Sequence, residues 1–152
     1  MQYVSTAAGT PAACVFCAAL AAGDDRRTFV LLRGKLAFLI LNAYPYASGH
    51  FMAAIARHAG SLEDATPDEL TEAMQLVQSG IRALRAAYRP DGFNVGVNQG
   101  RVAGAGIPGH LHLHVVPRWD GDTSFMPVVA ETKVLPETLE TTYDRLWAAL
   151  RS

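Results

Sequence analysis

The run His110-Leu-His-Leu-His-Val-Val116, continuing into Pro117-Arg118-Trp119, constrains this chain more than any other stretch. Histidine alternates with an aliphatic residue, and a period of two belongs to a strand with one buried face. Leu111, Leu113 and Val115 would then face a core, with three imidazoles along the opposite side. Neighbours on one strand face sit roughly 6.5–7 Å apart, from a rise of about 3.3 Å per residue. Adjacent rings can therefore share one ligand or one phosphate. His110 and His114, about 13 Å apart along an extended strand, are poorly placed to join His112 on a single metal. Imidazole serves as nucleophile, as proton carrier near neutral pH or as metal ligand. The rival is an exposed polar face that happens to be rich in histidine. Three of the five histidines fall here in strict alternation, which favours chemistry.

Composition sets the outer limits. A chain of 152 residues, half of them hydrophobic, suits one domain with a substantial core. Its formal net charge of −1 offers no basic field, so no nucleic-acid partner is expected. No apolar run is long enough to span a bilayer, so no membrane partner is expected either. The first 25 residues lack Lys and Arg, and Gly9-Thr10-Pro11 interrupts the apolar character expected of a leader. The expectation is a cytoplasmic protein. Residues 1–13 are small, uncharged and aperiodic, which predicts a flexible N-terminal segment before a single domain over residues 14–152.

Cys14-Val-Phe-Cys17 precedes the alanine-rich Ala18–Ala22. A lone C-x2-C is half a zinc site, a redox pair or two core cysteines, and any zinc must recruit histidines from elsewhere. Thr28–Arg33 and Leu36–Asn42 predict strands joined at Gly34-Lys35 as a hairpin. Tyr44–Gly49 predicts a turn, and His50–Ala56 a third strand. His58 keeps the parity of His50 if that strand continues; each of these two histidines taken alone is more often structural than a ligand.

Thr66-Pro-Asp-Glu69 carries the marks of a helix start, with an N-cap threonine, proline at the first position and a closing glutamate. Leu70, Ala73, Met74, Val77, Ile81 and Leu84 continue it as an apolar stripe, and Arg89-Pro-Asp-Gly92 stops it. Phe93–Asn98 predicts a strand with Asn94, Gly96 and Asn98 on one face. The loop between Gly100 and Gly109 holds Gly104, Gly106 and Pro108, and its backbone N–H groups could face an anion. Pro136–Leu150 predicts a last helix with Leu139, Tyr143, Leu146, Trp147 and Leu150 inward. The order implies an α+β domain with a mainly antiparallel sheet.

These residues resemble the histidine triad (HIT) nucleotide hydrolases and transferases. The H-φ-H-φ-H-φ-φ run is joined, in the family's order and approximate spacing, by Cys14–Cys17, Asn42, Gly49-His50, His58 and Asn98-Gln-Gly100. Pro117-Arg-Trp-Asp-Gly-Asp122 and Phe125-Met-Pro127 are similar to the bacterial branch related to diadenosine tetraphosphate phosphorylases and hydrolases. The resemblance implies a five-stranded sheet with two main helices, extended across a homodimer. It implies that His112 attacks the α-phosphorus of a nucleotide, giving a nucleotidyl-histidine that water or phosphate releases. His110 would accept a hydrogen bond from His112 through its carbonyl, while His114 would contact phosphate and leaving-group oxygens. His50 falls at a catalytic position beside His110. Asn42 would bind the ribose, with Ile40 and Leu41 near the base. Asn98, Gly104, Gly106 and Trp119 would contact phosphate. Cys14, Cys17, His58 and His110 match the zinc ligands of metal-containing relatives.

Gly106 stands where many relatives carry a hydroxyl or amide side chain, and the loop is one residue longer than in phosphoramidase-like members. The expected activity is cleavage of adenosine polyphosphates with water as main acceptor, phosphorolysis being the runner-up. Two other classes stay open: a slow nucleotide-binding sensor, which would bind AMP tightly with little turnover, and a redox or metal-handling protein centred on the cysteines.

Overall fold

The computed structural model describes residues 13–122 and 137–152. Five strands form one sheet: β1 (Val30–Arg33), β2 (Ala37–Leu41), β3 (Phe51–Ile55), β4 (Gly92–Gly96) and β5 (His112–Arg118). Their spatial order is β1-β2-β3-β5-β4, and every neighbouring pair is antiparallel. The triad strand β5 therefore lies inside the sheet, while β4 forms an edge among the described residues. The helices are α1 (Val15–Ala22), the four-residue α2 (Asp25–Thr28), α3 (Pro67–Tyr88) and α4 (Leu139–Leu150). A short 3-10 helix spans Arg101–Ala103.

Helices α3 and α4 pack on one face of the sheet. Ala73, Val77 and Leu84 from α3, with Tyr143 and Leu146 from α4, meet Leu39, Phe51, Leu113 and Val115. Gly80 lets α3 approach closely, since a Cβ there would lie 2.3 Å from the ring of the buried Phe51. The predicted start of α3 is present in full: Thr66 accepts from the Glu69 N–H, and the Glu69 carboxylate accepts from the Thr66 N–H. Arg57 adds a second hold on Glu69 at 2.9 Å. Arg89, at φ 49°, ends the helix. Met74 was expected inward but is 49% exposed. A residue turn of about 100° carries it off the stripe centred on Ala73 and Val77. Trp147 is likewise 44% exposed, with the Arg151 guanidinium 4.0 Å from its ring centre.

The opposite face is also covered, which sequence alternation did not anticipate. Helix α1, extended from Cys14 and closed by Gly23 at φ 67°, lays Phe16 and Ala19 over Phe38, Ile40, Met52 and Ala54. Apolar contact on both sides explains why every residue of β2 and β3 is buried. The first strand begins two residues later than expected, because Asp24 caps α2 and Phe29 adopts φ 63°. Strand β3 stops at Ile55, so His58 lies in the following loop rather than on the strand. Strand β4 ends at Gly96, leaving Asn98 beyond it. Most of residues 1–13 and the Phe125-Met-Pro127 motif fall outside the described residues.

No helix among the described residues is long and apolar enough to cross a membrane.

Candidate active site

The hydrogen-bond partners of His50, His110, His112 and His114 assign the proton of each ring to one nitrogen. The Tyr46 backbone N–H donates to His50 Nδ1 at 3.1 Å, which leaves the His50 proton on Nε2. That N–H donates to His114 Nδ1 at 3.0 Å, so His114 carries its own proton on Nε2. His112 Nδ1–H donates to the carbonyl of His110 at 2.7 Å, which leaves a lone pair on Nε2. His110 Nε2–H donates to the Ile55 carbonyl at 2.6 Å, presenting Nδ1 to the cysteines. Adjacent rings thus have opposite characters: His112 offers a lone pair and His114 offers a donor. Their centroids are 5.0 Å apart.

Burial keeps the three rings of the β5 run neutral. It pushes His112 down to about 4, against the opposing pull of its bond to the His110 carbonyl. His110 and His114 are also lowered, chiefly by burial. A neutral imidazole with one nitrogen engaged is a competent nucleophile at the other.

His112 and His114 line a cavity of about 1000 Å³. Its remaining walls include α1, Ile40, Leu41, Asn42, Gly104 and Gly106. Asn42 is 7% exposed, and its Oδ1 accepts from the Tyr44 N–H at 2.8 Å. Asn98 is exposed and borders the cavity, with its amide 3.6 Å from where a Gly104 Cβ would stand. Gly104 has φ 95°, a conformation that favours glycine. Trp119 is placed differently: its indole N–H donates to the Tyr88 carbonyl at 3.4 Å, and it does not line the cavity.

Two residues were not singled out from sequence. Phe16 is fully buried, with its ring 5.1 Å from His110 and 4.8 Å from His112. Its position inside C-x2-C was the available signal. Tyr46 acts through its backbone N–H and stacks on His50 at 5.1 Å. A backbone role leaves no side-chain signature.

Cys14, Cys17, His58 and His110 converge, and their four ligand atoms lie within 4.8 Å of one another. Sulfur–nitrogen separations are 3.2, 3.4 and 3.6 Å. A tetrahedral metal with ordinary Zn–S and Zn–N bonds would space such atoms about 3.6 Å apart. Burial and the neighbouring Cys14 push the Cys17 thiol up to about 11. A thiol so raised ionises readily only with a cation to compensate. The donor set and spacing fit a metal ion.

The HIT domain model matches residues 25–121. This chain belongs to the HIT family. It is 45% identical over 119 residues to an AP-4-A phosphorylase of Mycobacterium tuberculosis, an overlap covering 78% of this chain and 61% of that protein. The chain therefore spans less than two thirds of that relative's length. It is 30% identical over 117 residues to an adenosine 5'-monophosphoramidase of Saccharomyces cerevisiae, covering 77% of this chain and 70% of the other. Among solved structures, a zinc-bound histidine triad family protein from Mycobacterium smegmatis superposes with a TM-score of 0.76 at 27% identity. That match covers 93% of this HIT chain and 96% of the other. These neighbours establish the α+β fold with its antiparallel sheet.

Proposed function

We propose that this HIT protein transfers an adenylyl group from adenosine polyphosphates through a nucleotidyl-histidine, with water as the main acceptor. The observation that carries the reading is the hydrogen-bond pattern that assigns opposite tautomers to two adjacent rings at one cavity. His112 Nε2 attacks the α-phosphorus, forming a P–N bond as the bond to the leaving-group oxygen breaks. The leaving polyphosphate departs as an anion, whose oxygen accepts a hydrogen bond from His114 Nε2–H, and the His50 link fixes which nitrogen donates. Water then attacks the phosphorus and the P–N bond breaks; the water's proton passes to solvent, AMP leaves and the lone pair returns to His112 Nε2. Asn98 and the N–H groups around Gly104 and Gly106 offset charge on the phosphoryl oxygens. Asn42 holds the ribose, and Ile40 and Leu41 flank the base.

A second acceptor, inorganic phosphate, is favoured by the name of the mycobacterial relative. Phosphate meets an anionic centre and needs several donors. Gly106 supplies no side chain, and Trp119 is engaged with Tyr88 away from the cavity. One charged hydrogen bond is worth about 1.5–3 kcal/mol, so the missing donors weaken phosphate use about tenfold or more. Diadenosine tetraphosphate in millimolar phosphate should give AMP and ATP. ADP and ATP, formed at a rate that rises with phosphate, would establish the second reading. His112→Ala should abolish turnover with AMP binding nearly retained, and an active His112→Ala protein would refute the mechanism.

Zinc is the metal proposed for Cys14, Cys17, His58 and His110, where it would tie α1 to the triad strand. No chemical step passes through it. Metal analysis of protein purified without chelator should find near-stoichiometric zinc; under about a tenth of an equivalent would remove it from the account.

A homodimer is proposed through β4, the edge strand, whose outer residues Asn94–Gly96 are exposed. Unpaired strand edges are templates for another chain. Sedimentation should give twice the monomer mass, and a monomer at micromolar concentration would contradict this.

A further inference from the structure

Asn98 borders the cavity at a point where no regular element holds it. Strand β4 ends at Gly96, and the chain turns at Gly100 with φ 85°. Its neighbour Gln99 reaches a segment more than thirty residues away in sequence. Gln99 Oε1 accepts from the Leu62 N–H at 2.8 Å, and Nε2–H donates to the Glu63 carboxylate at 2.9 Å. We propose that Gln99 is a positioning residue, which holds Asn98 where it meets the phosphoryl oxygens of the substrate. This rests on the adenylyl-transfer reading above and deepens it.

The segment after His58 is a firm support. Arg57 donates to the Asp64 carbonyl at 2.8 Å and to the Glu69 carboxylate at 2.9 Å, the same carboxylate that closes the start of α3. Ser61 Oγ donates to Asp64 Oδ2 at 2.7 Å. The loop from Asn98 to Gly109 rests on this segment at both ends. At its far end the Leu111 N–H donates to the Ala59 carbonyl at 2.7 Å. Gly60 lies so near that a Cβ there would stand 2.5 Å from the Pro108 carbonyl oxygen. At its near end the Gln99 amide makes the connection.

Two bonds of opposite sense fix the Gln99 amide in one orientation, since its oxygen must face an N–H and its nitrogen an acceptor. Its own backbone N–H and the Gln99 amide hold the Glu63 carboxyl below its ordinary range, so the acceptor is an anion. Beyond Gln99 the Gly100 carbonyl accepts from the Ala103 and Ala105 N–H groups, each at 3.2 Å. That turn closes on itself, so its shape does not depend on Gln99. The freedom released by losing the Gln99 bonds falls on Asn98. Ordering Asn98 then becomes a cost of binding phosphate, where the anchored residue is ordered beforehand.

The test is a double-mutant cycle of Gln99→Ala and Asn98→Ala in the full chain, with thermal melting to check folding. Two quantities are read: kcat/KM for diadenosine tetraphosphate and the dissociation constant for AMP. Gln99→Ala alone should worsen each about tenfold. In the Asn98→Ala background it should cost less than about twofold, because the side chain it positions is already gone. Equal losses in both backgrounds, or no loss in either, would overturn the proposal. Gln99→Glu sets a second carboxylate against Glu63 and should behave like Gln99→Ala. Adding Glu63→Gln restores an amide opposite a carboxylate and should recover most of both quantities. A folded double exchange as impaired as Gln99→Glu alone would also overturn the proposal, and this arm stands if Gln99→Ala fails to fold. Wild-type protein that binds AMP but cleaves nothing would overturn the adenylyl-transfer reading alone, and the AMP cycle then decides on Gln99.

Discussion

One hydrogen bond organises the site: the His110 carbonyl takes the Nδ1 proton of His112. A carbonyl can only accept, so this bond decides which nitrogen of His112 keeps a lone pair. Everything around it keeps that choice in place. Strand pairing with β3 sets the backbone, with Ala54 opposite His112 and Met52 opposite His114. The adjacent ring receives the opposite assignment from a chain that begins at the Tyr46 backbone N–H. A nucleophile and a proton donor of the same residue type can stand side by side only if their tautomers differ. Here two separate backbone groups impose the difference.

The second constraint is enclosure. A strand with polar side chains on one face ordinarily leaves that face to water. In this chain α1 closes over it and places Phe16 against both His110 and His112. The resulting burial lowers His112 to about 4, so the ring is neutral across the physiological range. Cys14 stands at the N-cap of the same helix and Cys17 in its first turn, and both sulfurs meet His110. His110 thus joins three tasks: its carbonyl fixes the tautomer of His112, its Nε2 is held by Ile55, and its Nδ1 faces Cys14 and Cys17. A metal there would fasten the cover over the histidine row.

Much of this was legible from residues alone. Local rules with a strong physical basis worked: alternation on β5, the Thr66–Glu69 capping box and the hairpin near Gly34. Convergence of Cys14, Cys17, His58 and His110 came from family resemblance, since residues 41 to 96 apart in sequence carry no local sign of meeting. Helix α1 went unread because it is eight residues long, lacks a side-chain cap and is apolar nearly all round. Without it, the second buried face of the sheet could not be inferred. Trp119 matched a motif, but its side chain turns toward the end of α3, a tertiary choice that spacing does not encode.

His112 and His114 are neutral and hold their protons on opposite nitrogens. Nitrogen-15 NMR of histidine-labelled protein at neutral pH tests this directly, because protonated and unprotonated ring nitrogens resonate far apart. His112 should show a protonated Nδ1 and an unprotonated Nε2, and His114 the reverse. The same tautomer on both rings, or a doubly protonated His112 at neutral pH, would contradict the account.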